Sequence, residues 1–248
     1  MRAIILAAGR GSRMGQLGTE RPKCLVEIGN KPLIERQIAA LRGGGAKAVG
    51  VVRGYRADMI EPPDVTFFHN RRWAETNMVM SLAAAAEWLQ RGPVIVSYAD
   101  IFYRHELIHD LAAAPGDLVI AYDRAWRSLW NRRFAEPLAD AETFQTDASG
   151  RLIEIGSKTS NIDEIKGQYM GLLKFNPSAW RSVEALLASF DAQTRDRLDM
   201  TSLLQRLLRQ GIEIATLGTD GQWGEIDNPG DLALYERMVK DGELLLEG

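Results

Sequence analysis

The chain opens on a short unbroken apolar run, residues 3–7, and then breaks at once into Gly9-Arg10-Gly11. A run of that length without polar alternation predicts a strand buried on both faces that ends in a tight, backbone-exposing turn. Residues 32–41 carry helical spacing, Gly43-Gly44-Gly45 stops them, and residues 48–53 are again strand-like, which makes a β-α-β unit. The pattern repeats with a strand at 65–69, an alanine-rich helix at 78–89, a strand at 94–98, a helix at 106–113 and a strand at 118–122. Such alternation predicts a mainly parallel sheet with helices on both faces, an α/β fold of three layers.

From residue 142 the character changes. "TFQTDASGRLIEIGSK" predicts two strands turning at Ser149-Gly150, and "GQYMGLLKF" adds another, so a small mixed-sheet insertion is expected at about 123–176, where an acceptor pocket can be built. Helices at 178–189 and 200–210, a strand at 212–217 and a helix at 229–240 complete the chain. No linker, repeat or low-complexity tract interrupts it, and one domain over 1–248 is expected.

Charge narrows the partners. A net charge of −3 and a pI near 5.7 supply no basic field for nucleic acid, so a small anionic substrate is the better expectation. The single cysteine, Cys24, excludes an intramolecular disulfide. No apolar run approaches a membrane span and no basic segment precedes one, so a cytoplasmic chain with no membrane partner is expected, in a state compatible with a homodimer.

The glycine loop fits neither common nucleotide motif. From Gly9 it reads G-R-G-S-R-M, with Met14 where a dinucleotide-binding loop needs its third glycine, and no G-K-S or G-K-T follows. It carries Arg10 and Arg13 instead, with Lys23 downstream, a set of cations suited to a triphosphate; a plain surface turn with solvated arginines is the alternative. "LAAGRGSRM" followed by "RPKCLVEIGNKPLIERQI" resembles the signature of the nucleotidyltransferases of sugar-1-phosphate and phosphocholine type, whose fold is GT-A or Rossmann-like. The resemblance continues through "SYADI", "GQYMGL" and "WGEIDNPGDLALYE", close to the whole chain.

In that family a phosphate oxygen of the acceptor attacks the α-phosphorus of a nucleoside triphosphate and pyrophosphate leaves, so positioning and positive charge do the work. The resemblance implies that Leu6, Ala7, Ala8, Gly9, Gly11 and Ser12, with Tyr98 and Ala99, line the nucleotide. It implies Arg13 on the β- and γ-phosphates and Lys23, following a solvent-facing loop, on the α-phosphate. Asp100 closes the buried strand "VIVSYAD", at the strand end where α/β folds collect ligands, and Mg²⁺ is the expected cofactor there. Asp227 is the second carboxylate by resemblance, or else the N-cap of the helix at 229; Glu225 shares a strand face with it as an auxiliary ligand or an ion-pair partner.

"ETNMVMSL" and the stretches around "SYADIFY" and "AWRSLWNRRFAEPLADAETF" look most like the phosphocholine, phosphonate and phosphoglutamine cytidylyltransferases, so CTP and a small phosphorylated acceptor are the expected partners; a uridylyl- or guanylyltransferase acting on a sugar 1-phosphate is the alternative. Asn77 is an acceptor candidate or a helix cap. Trp126 and Trp130, four apart and followed by Arg132 and Arg133, are either core anchors or a face for a cationic head, with Glu136, Asp140 or Glu142 to pair an amine. Lys158 and Tyr169 complete the acceptor candidates, Lys158 by its match to a family lysine that meets the acceptor phosphate.

"HELIH", residues 105–109, matches H-E-x-x-H and raises a rival, a zinc hydrolase with Glu106 as base, although His69 is the one other histidine in the chain. A silent nucleotide sensor is the third class, which the joint presence of Arg13, Lys23, Asp100 and Asp227 opposes. Cys24 reads as a packed residue rather than a nucleophile.

Overall fold

The computed structural model describes residues 1–15 and 20–246. Seven strands form the central sheet: β1 (Arg2–Ala7), β2 (Ala48–Arg53), β3 (Thr66–His69), β4 (Val94–Tyr98), β5 (Leu118–Asp123), β6 (Gln168–Phe175) and β7 (Ala215–Thr219). Their order is β7-β5-β6-β4-β1-β2-β3, all parallel except β6, which runs antiparallel to both β4 and β5. The expected mixed, mainly parallel sheet is therefore present. Its one reversed strand is "GQYMGLLKF", which sits near the middle of the sheet, while the hairpin of Phe144–Thr146 and Leu152–Ile155 forms a separate pair turning at Gly150.

Alternation along β1 divides the core. Ala3, Ile5 and Ala7 pack on one face under the helices Leu33–Gly43, His105–Ala113 and Trp126–Arg133, and Ile4, Leu6 and Ala8 pack on the other under Met78–Ala83, Pro177–Ala188 and Met200–Arg209. Both faces of the strand are buried, which is why its sequence is apolar without a break. The Met200–Arg209 helix shows the complementary pattern. Asp199 caps its N-terminus on Ser202, and Leu203, Leu204 and Leu207 are fully buried, each contributing about 1.5–3 kcal/mol.

Most boundaries fall within a residue or two of expectation, and a few elements differ by more. The helix expected over 78–89 is two, Met78–Ala83 and Ala86–Arg91, because the chain tightens at Ala84 and Ala85; the second piece sets Trp88 edge-on to Phe68. The last sheet strand begins at Ala215 rather than 212, since the Ile212 N–H turns back to the Leu207 carbonyl and closes the preceding helix at Gly211. A short helix, Ala192–Asp196, stands where no element was expected. The glycine triplet does more than stop its helix: a Cβ on Gly44 would fall 2.4 Å from the Cβ of Ile108, so it lets the helix His105–Ala113 pack close. Among the described residues no helix is long and apolar enough to cross a membrane.

Gly171 tests how tightly β6 is fitted. Its φ is +73°, and a Cβ would lie 2.5 Å from the Tyr98 ring. Gly171→Ala is expected to destabilise the fold by about 2–4 kcal/mol, combining left-handed strain with overpacking. Gly150→Ala has positive φ but no atom within 4 Å of the new Cβ, and in urea unfolding it should lose clearly less. Equal losses at both sites would mean that Tyr98 yields freely.

Candidate active site

The glycine loop and the lysine form one unit. Gly11 has φ +66°, and a Cβ there would lie 2.9 Å from the Cβ of Lys23, so the loop rests directly on the lysine stem. The Tyr55 N–H, donating to the Ala8 carbonyl at 3.0 Å, fixes the other side of the turn. Lys23 begins a single 3-10 turn, Lys23–Leu25, and is itself buried, with 9% exposure, where the exposed loop expected ahead of it ends.

The two aspartates come from distant parts of the chain. Beyond β4, the buried amide of Gln37 donates to the carbonyls of Tyr98 at 2.6 Å and Ile101 at 2.7 Å, holding the bend that presents Asp100. The short strand Ile101–Tyr103 pairs antiparallel with Trp223–Glu225, and the Ile226 N–H donates to the Asp100 carbonyl at 2.9 Å. Trp223 is anchored in turn by its indole N–H to the buried Asp123 carboxylate at 2.9 Å. Asp227 then enters the site without capping a helix. Asn228 is the N-cap of Pro229–Lys240, in a capping box with Asp231, so that alternative for Asp227 falls away.

Charge is concentrated where these segments meet. The Lys23 Nζ donates to Asp100 Oδ2 at 2.8 Å and to Asp227 Oδ1 at 2.7 Å, and Arg13 forks onto the two oxygens of Asp227, each contact 3.2 Å. Oxygens of Asp100, Glu225 and Asp227 lie within 4.8 Å of one another. Burial works against the Lys23 ammonium, yet the charges and hydrogen bonds of Asp100 and Asp227 outweigh it and hold its pKa above the ordinary value. Burial, and then the charges of Asp100 and Asp227, push the Glu225 carboxyl well above the usual carboxylate range; Arg133 and Lys23 pull in the other direction. Asp100 Oδ1 is buried and has no hydrogen-bond partner. Three convergent carboxylates with one unsatisfied oxygen fit a hard divalent cation, which takes oxygen ligands. Glu225 belongs to this group and is also 3.5 Å from Arg133, so both of its expected roles are open to it.

Two cavities meet at this cluster. The first, about 290 Å³, is lined by Leu6, Ala7, Ala8, Gly9, Gly11 and Ser12, and also by Arg13, Lys23, Tyr98, Ala99 and Asp100. Trp73 and Ser81, which sequence reasoning passed over, line it as well. Asn77 is here too, away from the other acceptor candidates, and its side chain accepts from the Met78 N–H as a helix cap. The second cavity, about 260 Å³, shares Arg13 and Tyr98 with the first and is lined by Trp130, Asp140, Glu142, Tyr169, Glu225 and Asp227. Asn77, Glu136, Trp126 and Lys158 are not part of its lining. Trp126 is 2% exposed, packed edge-on to Trp130 in the core, and Lys158 is exposed, its Nζ donating to the carbonyls of Ala139 and Asp140. Desolvation raises the Glu142 carboxyl pKa, Lys158 opposes this, and Asp140 adds to it.

The remaining motifs are structural. His105 and His109 are 41% and 77% exposed on a surface helix, Glu106 is bound by Arg104, and the metal-capable group among the described residues excludes all three. Cys24 is 2% exposed and burial pushes its thiol up to about 12, so it carries no thiolate at neutral pH.

Comparison with known proteins agrees with this geometry. Residues 3–161 match the MobA-like NTP transferase domain. The chain is 37% identical to the CTP:phosphoglutamine cytidylyltransferase of Campylobacter jejuni over 94% of its own length and 98% of that protein, and 31% identical to the 2-aminoethylphosphonate cytidylyltransferase of Lancefieldella rimae over 66% and 64%. Its fold overlays that of a CTP:phosphocholine cytidylyltransferase from Streptococcus pneumoniae with a TM-score of 0.71, covering 96% of this chain and 98% of the other at 19% identity. A glycine loop seated on a buried lysine, the paired aspartates and this likeness over nearly the full length have one explanation: the chain belongs to the MobA-like NTP transferase family, as a nucleotidyltransferase of its cytidylyltransferase group.

Proposed function

We propose that the protein transfers a cytidylyl group from CTP to a small phosphorylated acceptor bearing an amine, with phosphoglutamine the first choice. The observation that carries this is the junction of the two cavities: Asp100 and Lys23 line the first, Glu225 and Asp227 line the second, and Lys23 bonds both aspartates across it. A nucleotide in the first cavity and a phosphate in the second would meet at these residues. Besides Glu225 and Asp227, which belong to the cation site, the second cavity presents the carboxyl groups of Asp140 and Glu142, which suit an acceptor with a positive end. Likeness to a phosphoglutamine enzyme and to a phosphonate enzyme, both handling amine-bearing acceptors, supports the same choice.

In this reading an acceptor phosphate oxygen attacks the α-phosphorus of CTP, the bond to the oxygen bridging the α- and β-phosphorus breaks, and pyrophosphate leaves. The backbone at Ala8, Gly9 and Gly11 and the side chain of Ser12 hold the nucleotide. Arg13 neutralises the β- and γ-phosphates, and Lys23 stabilises charge developing on the α-phosphate. Asp100, Asp227 and Glu225 would hold Mg²⁺, which supplies charge neutralisation to phosphate oxygens when bound. Glu142 receives the acceptor amine, while Trp130 and Tyr169 provide the walls.

Pyrophosphate release with Mg²⁺ should therefore appear with CTP and phosphoglutamine, or with phosphocholine or 2-aminoethylphosphonate. Release with UTP or GTP and a hexose 1-phosphate alone would defeat the reading and move the chain to the sugar branch. Lys23→Ala is expected to lower kcat by about 10²- to 10³-fold, as loss of one preorganised donor does, with a much smaller change in the KM for CTP. Wild-type turnover would remove Lys23 from the chemistry. Glu142→Gln is expected to raise the KM for the amine-bearing acceptor by roughly 10- to 100-fold, the worth of one hydrogen bond to a charged group, leaving the KM for CTP unchanged. An unaltered acceptor KM would place the amine elsewhere.

A further inference from the structure

Arg133 ends the helix Trp126–Arg133, and its side chain is wholly buried. Its guanidinium forks onto Asp231, with Nε to Oδ1 at 3.0 Å and one terminal nitrogen to Oδ2 at 3.1 Å. The same group reaches Glu225 Oε2 at 3.5 Å and Asp227 Oδ2 at 3.6 Å. The rings of Trp130 and Phe134 lie 5.0 Å from its central carbon and fix its plane. Asp231 Oδ2 accepts as well from the Asp227 N–H at 2.9 Å, so the Arg133–Asp231 pair holds both the backbone and the carboxylate of Asp227. Arg133 lines neither cavity.

We propose that Arg133 is a positioning residue for the divalent-cation site: from behind, it holds Glu225 and Asp227 converged on Asp100 and touches neither nucleotide nor acceptor. The inference rests on the reading of the three carboxylates as a cation site. A guanidinium suits the task because one rigid plane engages three carboxylates at once, whereas an ammonium meets them as a single point. Groups that orient metal ligands from outside the ligand set act on metal affinity itself.

The test is Mn²⁺ titration followed by electron paramagnetic resonance, with and without CTP, on the wild type, Arg133→Met and Arg133→Lys, each first shown folded by its melting curve. Arg133→Met is expected to bind Mn²⁺ about tenfold more weakly, with Arg133→Lys between it and the wild type. In turnover, the Mg²⁺ concentration for half-maximal rate should rise in the same order, while the KM for CTP at saturating Mg²⁺ stays put. If Arg133→Met does not fold, Arg133→Lys carries the comparison. Unchanged Mn²⁺ affinity in the variants, or tighter binding, would overturn the proposal even if kcat fell. Absence of Mn²⁺ binding by the wild type would instead defeat the cation-site reading beneath it.

Discussion

Mutual repulsion of three carboxylates is the constraint around which this molecule is arranged. Two unit negative charges 4.8 Å apart repel by about 3–4 kcal/mol at an effective dielectric near 20, and it is burial together with the charges of Asp100 and Asp227 that raises the Glu225 carboxyl above the usual carboxylate range. Asp100, Glu225 and Asp227 are tolerated because Arg13, Lys23 and Arg133 approach them from three separate segments. Each approach has its own scaffold: a left-handed glycine that lets the loop lie on the lysine stem, a strand pair that brings residue 100 to residue 226, and a helix end that delivers a buried guanidinium. The apolar core serves this arrangement by keeping in register the central strands, β1 and β4, from whose ends the glycine loop and Asp100 leave.

What could be read in the sequence divides along physical lines. β1, the glycine turn, Lys23 and Asp100 were legible because each is marked locally, by an apolar run, a pair of glycines, a charge after proline or a carboxylate at a strand end. β2 and β4 and the final helix, Pro229–Lys240, match their expected bounds for the same reason. The slip of β7 was invisible because Ile212 is apolar in either reading, and it is the helix-closing hydrogen bond to Leu207 that decides. The run of alanines at 83–86 carries no breaker, so nothing in the sequence marks the tightened turn, Ala84 N–H to Ser81 and Ala85 N–H to Leu82, at which the helix divides.

The site was legible in part for a related reason. Gln37 sits on a helix face like any other glutamine, and its role exists only because two carbonyls of a distant bend lie beneath it. Trp126 and Trp130 share a helix face, yet one ring is enclosed by the core and the other reaches the second cavity; spacing alone treats them alike. Asp227 and Asn228 are adjacent and both suited to capping, and the reciprocal bond from Asp231 selects Asn228. The H-E-x-x-H pattern shows the opposite failure, a strong local signal whose histidines face solvent.

The placement of β6 bears on how the chain is made. β3, β2, β1 and β4 occupy one continuous side of the sheet and come from the first 98 residues, whereas the strand that pairs with β4 on its open side spans 168–175. During synthesis the β4 edge, with Val94, Ile95 and Val96, stays unpaired until some seventy further residues have emerged, an interval of several seconds at ordinary elongation rates of about 5–20 residues per second. An apolar edge left open for that time is a template for wrong pairing, and closing the sheet there is a long-range step.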